Sequence, residues 1–303
     1  MPTLELAAGA ARVLLLPAIG GAIGAFTVDG ETVLRPMPDD ADATADVKGT
    51  ACYPLVPYSN RIRNAELAFA GVRYALARNF GDHPHAIHGV GWQRAWHVAS
   101  ASSSRGQLML VHDAAGAAKS AWPWPFRATQ TFDLAADGVR ATLTATMTIE
   151  NTGDTPFPFG LGWHPFFPRD TTTTLEFAAR GVWRNDATQL PVERLDATGG
   201  WSFARARDPG GTTLDNVFAG WGGLATLRST RTGRATTIEA DSACGCLVVF
   251  APAGGDFVAV EPVTHETDAF NRAAAGAPAT GMRVLPAGAA FSCTMRIASA
   301  PLA

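Results

Sequence analysis

The sequence predicts an all-β protein that folds as one large antiparallel β-sandwich with few short helices. Three observations support this prediction. Short runs of alternating apolar and polar residues recur along the whole chain. The 31 glycines and 20 prolines are dispersed, which favours many short elements joined by turns over long helices. No linker and no shift in composition interrupts the 303 residues, so we expect a single domain that spans residues 1–303.

Hairpins give the strongest strand signals. Asp29-Gly30, Gly71 and Asp137-Gly138 are residue types that suit tight turns, and an extended segment lies on each side of each turn. The predicted strands, in chain order, are residues 12–16, 22–28, 31–34, 66–70, 72–76, 107–112, 129–134, 139–150, 173–177, 224–227, 236–239, 247–250, 258–260 and 290–297.

Helices are expected to be few and short. Residues 269–277 have helical composition, but Gly276 and Pro278 stop a helix early. The apolar residues 7–26 are not predicted to be a signal peptide or a membrane span, because Arg12 and Pro17 interrupt them and no basic segment precedes them. We therefore expect a cytoplasmic protein without a membrane partner.

Composition excludes some partners. The net charge is −3, so nothing suggests that the protein binds nucleic acid or an anionic membrane. The hydrophobic fraction of 47% is ample for a large core. None of the four cysteines lies in a Cys-x-x-Cys pair, so we expect buried free thiols in a reducing compartment and not a zinc site. These cysteines are Cys52, Cys244, Cys246 and Cys293.

His164 is the candidate general acid. It lies in residues 162–167, which read GWHPFF, so a stiff backbone and several aromatic rings surround it. Imidazole is the side chain whose ordinary pKa lies closest to neutral pH. An apolar floor with one proton donor suits a sugar ring. The alternative is a core histidine within an aromatic cluster.

Glu261 is the candidate general base. It ends an apolar predicted strand and Pro262 follows it, so we expect its carboxylate to be partly desolvated. Desolvation raises the pKa of a carboxyl toward the range of a useful base. The alternative is a salt-bridged glutamate at a strand end.

Four other residues are candidates for binding a ligand. Arg61, beside Asn60, can hold vicinal hydroxyls or a carboxylate with its guanidinium fork. Asp215 lies between apolar residues and can accept hydrogen bonds from two hydroxyls. His88 precedes Gly89, where the backbone can pack closely. The alternatives are a surface arginine, an aspartate that caps a turn, and a histidine bonded to backbone.

The remaining histidines and acids near these motifs are expected to be solvated. His83 and His85 lie in a proline-containing loop, and a metal site there is less favoured because no carboxylate-rich segment has ligand spacing. His265 is expected in a loop, with a pocket rim as the alternative. Glu266 and Asp268 are also expected to be solvated.

Taken in chain order, these segments resemble the aldose 1-epimerase (galactose mutarotase-like) family. The resemblance spans nearly the whole chain and rests on Asn60-Arg61-Ile62, residues 69–76, Asn79, His88-Gly89, Trp96, residues 162–167, residues 214–218 and residues 260–264. It implies a large galactose mutarotase-like supersandwich with a sugar in an open cleft across one sheet. It also implies His164 as catalytic acid and Glu261 as catalytic base, with Arg61, His88, Asp215 and the neighbouring Asn60 binding the sugar.

The expected activity is the interconversion of the α and β anomers of an aldohexose. Glu261 takes the proton of the C1 hydroxyl while His164, as imidazolium, protonates the ring oxygen from the opposite side of the hemiacetal. This chemistry needs neither cofactor nor metal, and the expected partner is a small-molecule sugar bound by a monomer or homodimer. One alternative is a hexose-6-phosphate 1-epimerase, for which Arg61, Arg63 and Arg73 are candidate phosphate ligands. Another is a non-catalytic carbohydrate-binding or sensing protein.

Overall fold

The computed structural model describes residues 3–37, 46–211 and 213–302. Most of the regular structure in these residues is β-strand. The strands are β1 (Leu4–Ala8), β2 (Ala11–Leu16), β3 (Ala22–Val28), β4 (Glu31–Leu34), β5 (Cys52–Leu55), β6 (Arg61–Ile62), β7 (Glu66–Phe69), β8 (Val72–Ala75), β9 (Ala86–Ile87), β10 (His97–Ala101), β11 (Arg105–His112), β12 (Phe126–Ala136), β13 (Ala141–Asn151), β14 (Phe157–Phe159), β15 (Gly162–Pro168), β16 (Thr173–Phe177), β17 (Gly181–Asn185), β18 (Pro191–Asp196), β19 (Leu214–Ala219), β20 (Leu224–Ser229), β21 (Arg234–Ala240), β22 (Cys246–Ala251), β23 (Phe257–Val263), β24 (Arg283–Leu285) and β25 (Ala290–Pro301). Short helices accompany them, α1 (Ala118–Ala121) and α2 (Ala269–Ala274).

Two large sheets form the body of the protein. The first has 11 strands in the order β1-β2-β3-β5-β15-β23-β22-β19-β17-β18, with β4 on β3. The second has 8 strands in the order β10-β11-β12-β13-β25-β21-β20-β16. Neighbouring strands pair antiparallel in both sheets. The predicted antiparallel architecture with few helices is therefore confirmed.

The main hydrophobic core joins side chains of both large sheets. The 11-stranded sheet contributes Trp163, Leu247 and Val260, and the 8-stranded sheet contributes Phe132 and Ile297. Each side chain of this size stabilises the fold by roughly 1.5–3 kcal/mol when it is fully buried. The continuity of this cluster is what holds one face of the 11-stranded sheet against the other sheet.

The opposite face of the 11-stranded sheet carries a second, smaller apolar cluster. Successive side chains of a strand point to opposite faces of its sheet. In β15, Trp163 and Phe167 belong to the main core, whereas Phe166 belongs to the second cluster with Tyr53 and Val248. This alternation sends even-numbered side chains of β15 to the second face, where a ligand can reach them.

Sequence patterns located some strands well and missed others. The predicted strands 22–28, 31–34 and 173–177 match the observed bounds, and both Asp29 and Gly30 adopt the positive φ that their hairpin turn needs. The missed strands include β5 and β15, which are buried on both faces. Such strands lack the polar alternation that marks a half-solvated strand.

The apolar residues near the N-terminus form strands β2 and β3 of the 11-stranded sheet. Among the described residues, no helix is long and apolar enough to cross a bilayer. The predicted helix in residues 269–277 is confirmed as the six-residue helix α2, and Gly276 follows it with a φ of 87°. All four cysteines are buried free thiols, as predicted.

Candidate active site

Two polar side chains stand opposite each other on the second face of the 11-stranded sheet. The register of β15 and β23 pairs Phe166 with Ala259, which puts His164 directly across from Glu261. Nε2 of His164 lies 3.2 Å from Oε1 of Glu261, and these side chains are only 8% and 3% exposed. The sequence motifs that suggested an acid and a base therefore meet as a cross-strand pair.

Glu261 lies within a strand and not at its end, contrary to the sequence-based prediction. Strand β23 continues to Val263, and Glu261 pairs with Val248 of β22. Pro262 removes one N–H donor from the ladder, but its fixed φ is compatible with extended backbone, so it does not end the strand. The position inside the strand explains why Glu261 is fully desolvated where partial desolvation was expected.

Asp215 occupies the next row of side chains on the same face. It pairs with Phe250 of β22, Phe250 pairs with Ala259 of β23, and Ala259 pairs with Phe166 of β15. This row runs two residues along the strands from the row that contains His164 and shares its face. Asp215 is thus placed beside the pair by strand register alone.

Arg61 reaches the sheet from the short strand β6. Its Nη2 donates to Oδ2 of Asp215 at 2.9 Å, and its Nη1 donates to Oδ1 of Asn60 at 3.0 Å. The Arg61 and Asp215 side chains are 16% and 19% exposed. The two acceptors fix the direction of the planar guanidinium in the cavity wall.

His88 is held by the backbone of the same loop. The ring Nδ1 of His88 accepts the backbone N–H of Asn60 at 3.0 Å, and the backbone N–H of His88 donates to the carbonyl of Asn60 at 2.9 Å. Because Nδ1 accepts, the proton of the neutral ring is on Nε2, which is therefore a donor. Gly89 permits this loop, since a Cβ there would lie 2.3 Å from the carbonyl oxygen of Val56.

All six predicted site residues line one cavity of about 330 Å³. This volume lies at the lower end of the range typical of small-molecule sites. Aromatic side chains supply much of the remaining wall, as the sequence analysis expected of an apolar floor. The six residues are Asn60, Arg61, His88, His164, Asp215 and Glu261.

Burial shapes the proton affinities of this cavity. It lowers the pKa of His164 to about 3 and raises the pKa of Glu261 well above its usual value, with the charge of Asp215 raising the Glu261 pKa further. Burial also lowers the pKa of His88 well below its usual value. Burial therefore favours the neutral forms of all three groups.

Sequence reasoning did not identify several residues of the cavity wall. Tyr53 packs on His164 with the ring centroids 4.6 Å apart and the planes tilted by 30°. Arg35, Lys48, Phe80 and Phe257 also line the cavity. Tyr53 belongs to the doubly buried strand β5, whose neighbour in the sheet cannot be inferred from local pattern. The two cations gave no motif signal, because neither lies near another candidate residue in the sequence.

The two loop histidines differ from each other. His83 is partly buried and lines the cavity. His85 is 2% exposed, so the prediction that it is solvated was wrong. Its Nδ1 accepts the N–H of Asn64 at 2.9 Å, and this contact holds the ring against the turn that follows β6.

The segment after Glu261 is buried, although the sequence analysis expected it to be solvated. His265, Glu266 and Asp268 are each at most 5% exposed. Nε2 of His265 accepts the N–H of Ser59 at 3.1 Å, and Asp268 accepts the N–H of Arg63 at 3.0 Å. These groups act as supports behind the loop that carries Arg61, which is why water is excluded from them.

The basic cluster considered for a sugar phosphate does not form. Arg63 contacts Asp268 at 3.5 Å, and Arg73 contacts Glu66 at 3.5 Å. Neither arginine lines the cavity that contains Arg61. The three arginines lie in β6, in the turn that follows it and in β8, so their side chains have different surroundings.

Gly160 is expected to be intolerant of a side chain. A Cβ there would lie 1.8 Å from Cδ2 of His265, whose ring is fixed by Ser59 and by the carbonyl of Glu266 at 2.7 Å. We expect Gly160→Ala to lower the free energy of unfolding by about 1–3 kcal/mol through overpacking, measured by urea denaturation. Gly200→Ala is the matched control, because nothing lies within 4 Å of a Cβ at that position. Equal urea midpoints for the two variants would contradict the expectation.

The fold and the cavity together define a class of protein. It is an antiparallel β-sandwich in which the outward face of one sheet carries a buried acid–base pair, a fixed arginine–carboxylate pair and a histidine donor around a cavity of small-molecule size. The comparisons with known proteins identify the family within this class.

The chain belongs to the aldose 1-epimerase family, whose profile matches residues 2–298. It is 32% identical over 272 residues to the uncharacterised protein YphB of Escherichia coli K12, which covers 85% of this chain and 86% of that protein. A putative aldose 1-epimerase structure from Escherichia coli K12 superposes with a TM-score of 0.88 at 27% identity over 99% of both chains. A galactose mutarotase-like protein from Clostridium acetobutylicum has the same fold, with a TM-score of 0.85 at 18% identity over 99% of this chain and 95% of that one.

Proposed function

We propose that this protein is an aldose 1-epimerase that interconverts the α and β anomers of an aldohexose without a cofactor. The observation that carries the proposal is the His164–Glu261 pair, 3.2 Å apart and nearly excluded from water. Taking two ionisable side chains out of water costs free energy. A site that only binds sugar would gain nothing in return for that cost. Membership of the aldose 1-epimerase family supports the same activity.

The proposed reaction opens and recloses the sugar ring. The Glu261 carboxylate takes the proton of the C1 hydroxyl while the His164 imidazolium gives a proton to the ring oxygen, and the C1–ring oxygen bond breaks. The aldehyde rotates about the C1–C2 bond, and the ring closes on the other face of C1 with both proton transfers reversed. Each positioned proton transfer contributes typically 10²–10⁴-fold to the rate.

The contact between the two residues fits the proton balance of this reaction. Ring opening leaves Glu261 protonated and His164 neutral, which is the state that burial favours. Direct transfer across 3.2 Å returns the proton to His164 before a closed ring reacts. We expected the two residues on opposite sides of the hemiacetal, but in the structure their side chains are in contact. Both act from the same side, or they separate when the sugar binds.

Binding and orientation are assigned to the other predicted residues. The Arg61–Asp215 pair offers donors and an acceptor to adjacent hydroxyls, with Asn60 fixing the arginine. His88 presents its Nε2–H donor to the ring oxygen region. Fixing the sugar in a reactive orientation supplies the entropic part of the rate enhancement. The whole chain acts as one domain in this proposal.

Polarimetry on freshly dissolved α-glucose and α-galactose tests the proposed activity. The purified protein is expected to accelerate the approach to the equilibrium rotation in proportion to its concentration. Saturable binding of sugar with no acceleration would instead support a carbohydrate-binding or sensing protein of the same fold.

Replacing Asp215 by asparagine is expected to weaken substrate binding more than turnover. The change removes the charge that orients Arg61 and accepts sugar hydroxyls, and a hydrogen bond to a charged group is worth about 1.5–3 kcal/mol. We therefore expect KM to rise by about tenfold or more with a smaller change in kcat, measured from initial polarimetric rates. Asp196→Asn is the control, because Asp196 is exposed at the end of β18. A KM equal to that of the control would exclude this role for Asp215.

A further inference from the structure

The guanidinium of Arg35 is held in one orientation in the wall of the candidate active site. It follows β4, and its guanidinium carbon lies 4.0 Å from the ring centre of Phe166 and 4.6 Å from that of Phe257. Its Nη2 donates to the carbonyls of Lys48 at 3.0 Å and Thr50 at 3.3 Å. Two aromatic contacts and two backbone acceptors therefore fix the group before any ligand binds.

Among the residues that the structure describes, the acidic groups of the cavity already have other partners. Arg61 pairs with Asp215 and His164 contacts Glu261. No carboxylate of the described residues lies within 4.0 Å of Arg35.

Lys48 adds a second positive charge on the same side of the cavity. Its Nζ lies 5.3 Å from the ring centre of Phe80, and it contacts Asp46 at 3.4 Å, with both side chains about half exposed. Exposed pairs of this kind contribute little and exchange partners readily. Lys48 is therefore able to turn toward a ligand, whereas Arg35 is already in place.

The position of Arg35 has a cost that a neutral ligand does not offset. Burial lowers the pKa of Arg35, and the more distant Asp256 compensates only in part. A partly desolvated cation is stabilised when a negatively charged partner enters the same site. The hydroxyl groups of a neutral sugar can bind to the Arg61–Asp215 pair and to His88, so they do not require Arg35.

The Phe166 ring lies between the guanidinium of Arg35 and the imidazole of His164, the proposed acid. Phe166 contacts both Arg35 and His164, with 4.4 Å between the centres of the Phe166 and His164 rings. If C1 of a pyranose lies at His164 and Glu261, the opposite side of the sugar ring therefore reaches toward Arg35 and Lys48. A substituent on the sugar carbon far from C1 is the group that this arrangement favours.

We propose that the substrate is an aldose that carries an anionic group, and that Arg35, with Lys48 beside it, binds that group. This inference rests on the proposed epimerase function and adds the substrate class to it. The shared chemistry is a negatively charged oxygen group, which a sugar carboxylate or a sugar phosphate supplies. Charge-assisted hydrogen bonds from a fixed guanidinium suit both groups.

Anomer exchange measured by NMR saturation transfer tests the inference, because it needs no pure anomer. The three probes are glucuronate, glucose 6-phosphate and glucose. We expect kcat/KM for at least one anionic probe to exceed that for glucose by roughly tenfold or more, and the excess to shrink with added salt. The probe with the larger excess distinguishes carboxylate from phosphate. Equal or lower values for both anionic probes would overturn the inference while leaving the epimerase function in place.

The Arg35→Met variant separates charge recognition from general damage. It keeps the length and apolar packing of the stem, and we expect it to reduce kcat/KM for the preferred anionic probe roughly tenfold more than that for glucose. Arg184→Met is the control, because Arg184 is exposed and pairs with Glu193 away from the cavity. Equal losses on charged and neutral probes would overturn the inference.

Calorimetric titration of the same probes keeps the two proposals distinguishable. If no sugar is turned over but the anionic probe binds more tightly than glucose in an Arg35-dependent way, the ligand class stands and the epimerase function fails. If the three probes bind equally tightly to the wild-type protein and to Arg35→Met, the ligand class fails whatever the activity.

Discussion

Replacing Glu261 by glutamine is expected to lower kcat for anomer interconversion by about 10²–10⁴-fold, since the amide cannot accept the C1 hydroxyl proton. The fold is expected to persist. Burial keeps the Glu261 pKa raised, so the native fold already favours the neutral carboxyl that the amide imitates in size and charge. Initial polarimetric rates and urea unfolding, measured on the same preparation, check both parts of this expectation.

The control for Glu261→Gln is Glu193→Gln, which alters an exposed carboxylate in β18. It is expected to retain the wild-type rate. A Glu261→Gln variant that also works at full rate would remove Glu261 from the mechanism, and with it the role proposed for the buried pair.

Replacing His164 by alanine is expected to abolish most of the activity, because the change removes the proposed proton donor to the ring oxygen. The loss is expected to reach about 10²–10⁴-fold in kcat. His164→Gln, which retains more side-chain volume, is expected to be equally inactive, so that loss of the imidazole is separated from loss of packing. His97→Ala is the control, because His97 is exposed on β10. Retention of substantial activity in both His164 variants would contradict the assignment.

The pH dependence of the wild-type protein provides a separate check on this pair. An exposed imidazolium acid loses its proton as the pH rises through about 6.5. Here burial lowers the pKa of His164 to about 3 and raises the pKa of Glu261, so the one proton that the pair shares is not lost by an ordinary imidazolium. We therefore expect kcat without a transition near pH 6.5 and with a decline on the alkaline side, where the pair loses its proton.

The sequence identified the chemistry of the site better than its arrangement. Residues 162–167 pointed to His164 because they place an imidazole on a stiff backbone among aromatic rings, yet β15 was not predicted as a strand. Its two buried faces carry no polar alternation. Glu261 was placed at a strand end because Pro262 follows it, but tertiary pairing with β15 and β22 overrides that local signal.

Residues outside recognisable motifs required the tertiary structure. Tyr53 enters the site because β5 lies beside β15 in the sheet, and Arg35 enters because it packs on Phe166. His265 and Asp268 were expected in solvent, since charged and polar side chains after a strand usually are. They are buried because the loop that carries Arg61 folds over them.

The sequence by itself determined the fold class and several turns, and it pointed to the residues proposed as acid, base and hydroxyl ligands. Turn residues and strand alternation act over a few residues, so they can be read locally. Only the tertiary structure decided that His164 faces Glu261, that Asp215 lies one row away, and that Arg35 completes the cavity. These contacts depend on which strands are neighbours and in which register, and long-range packing sets both.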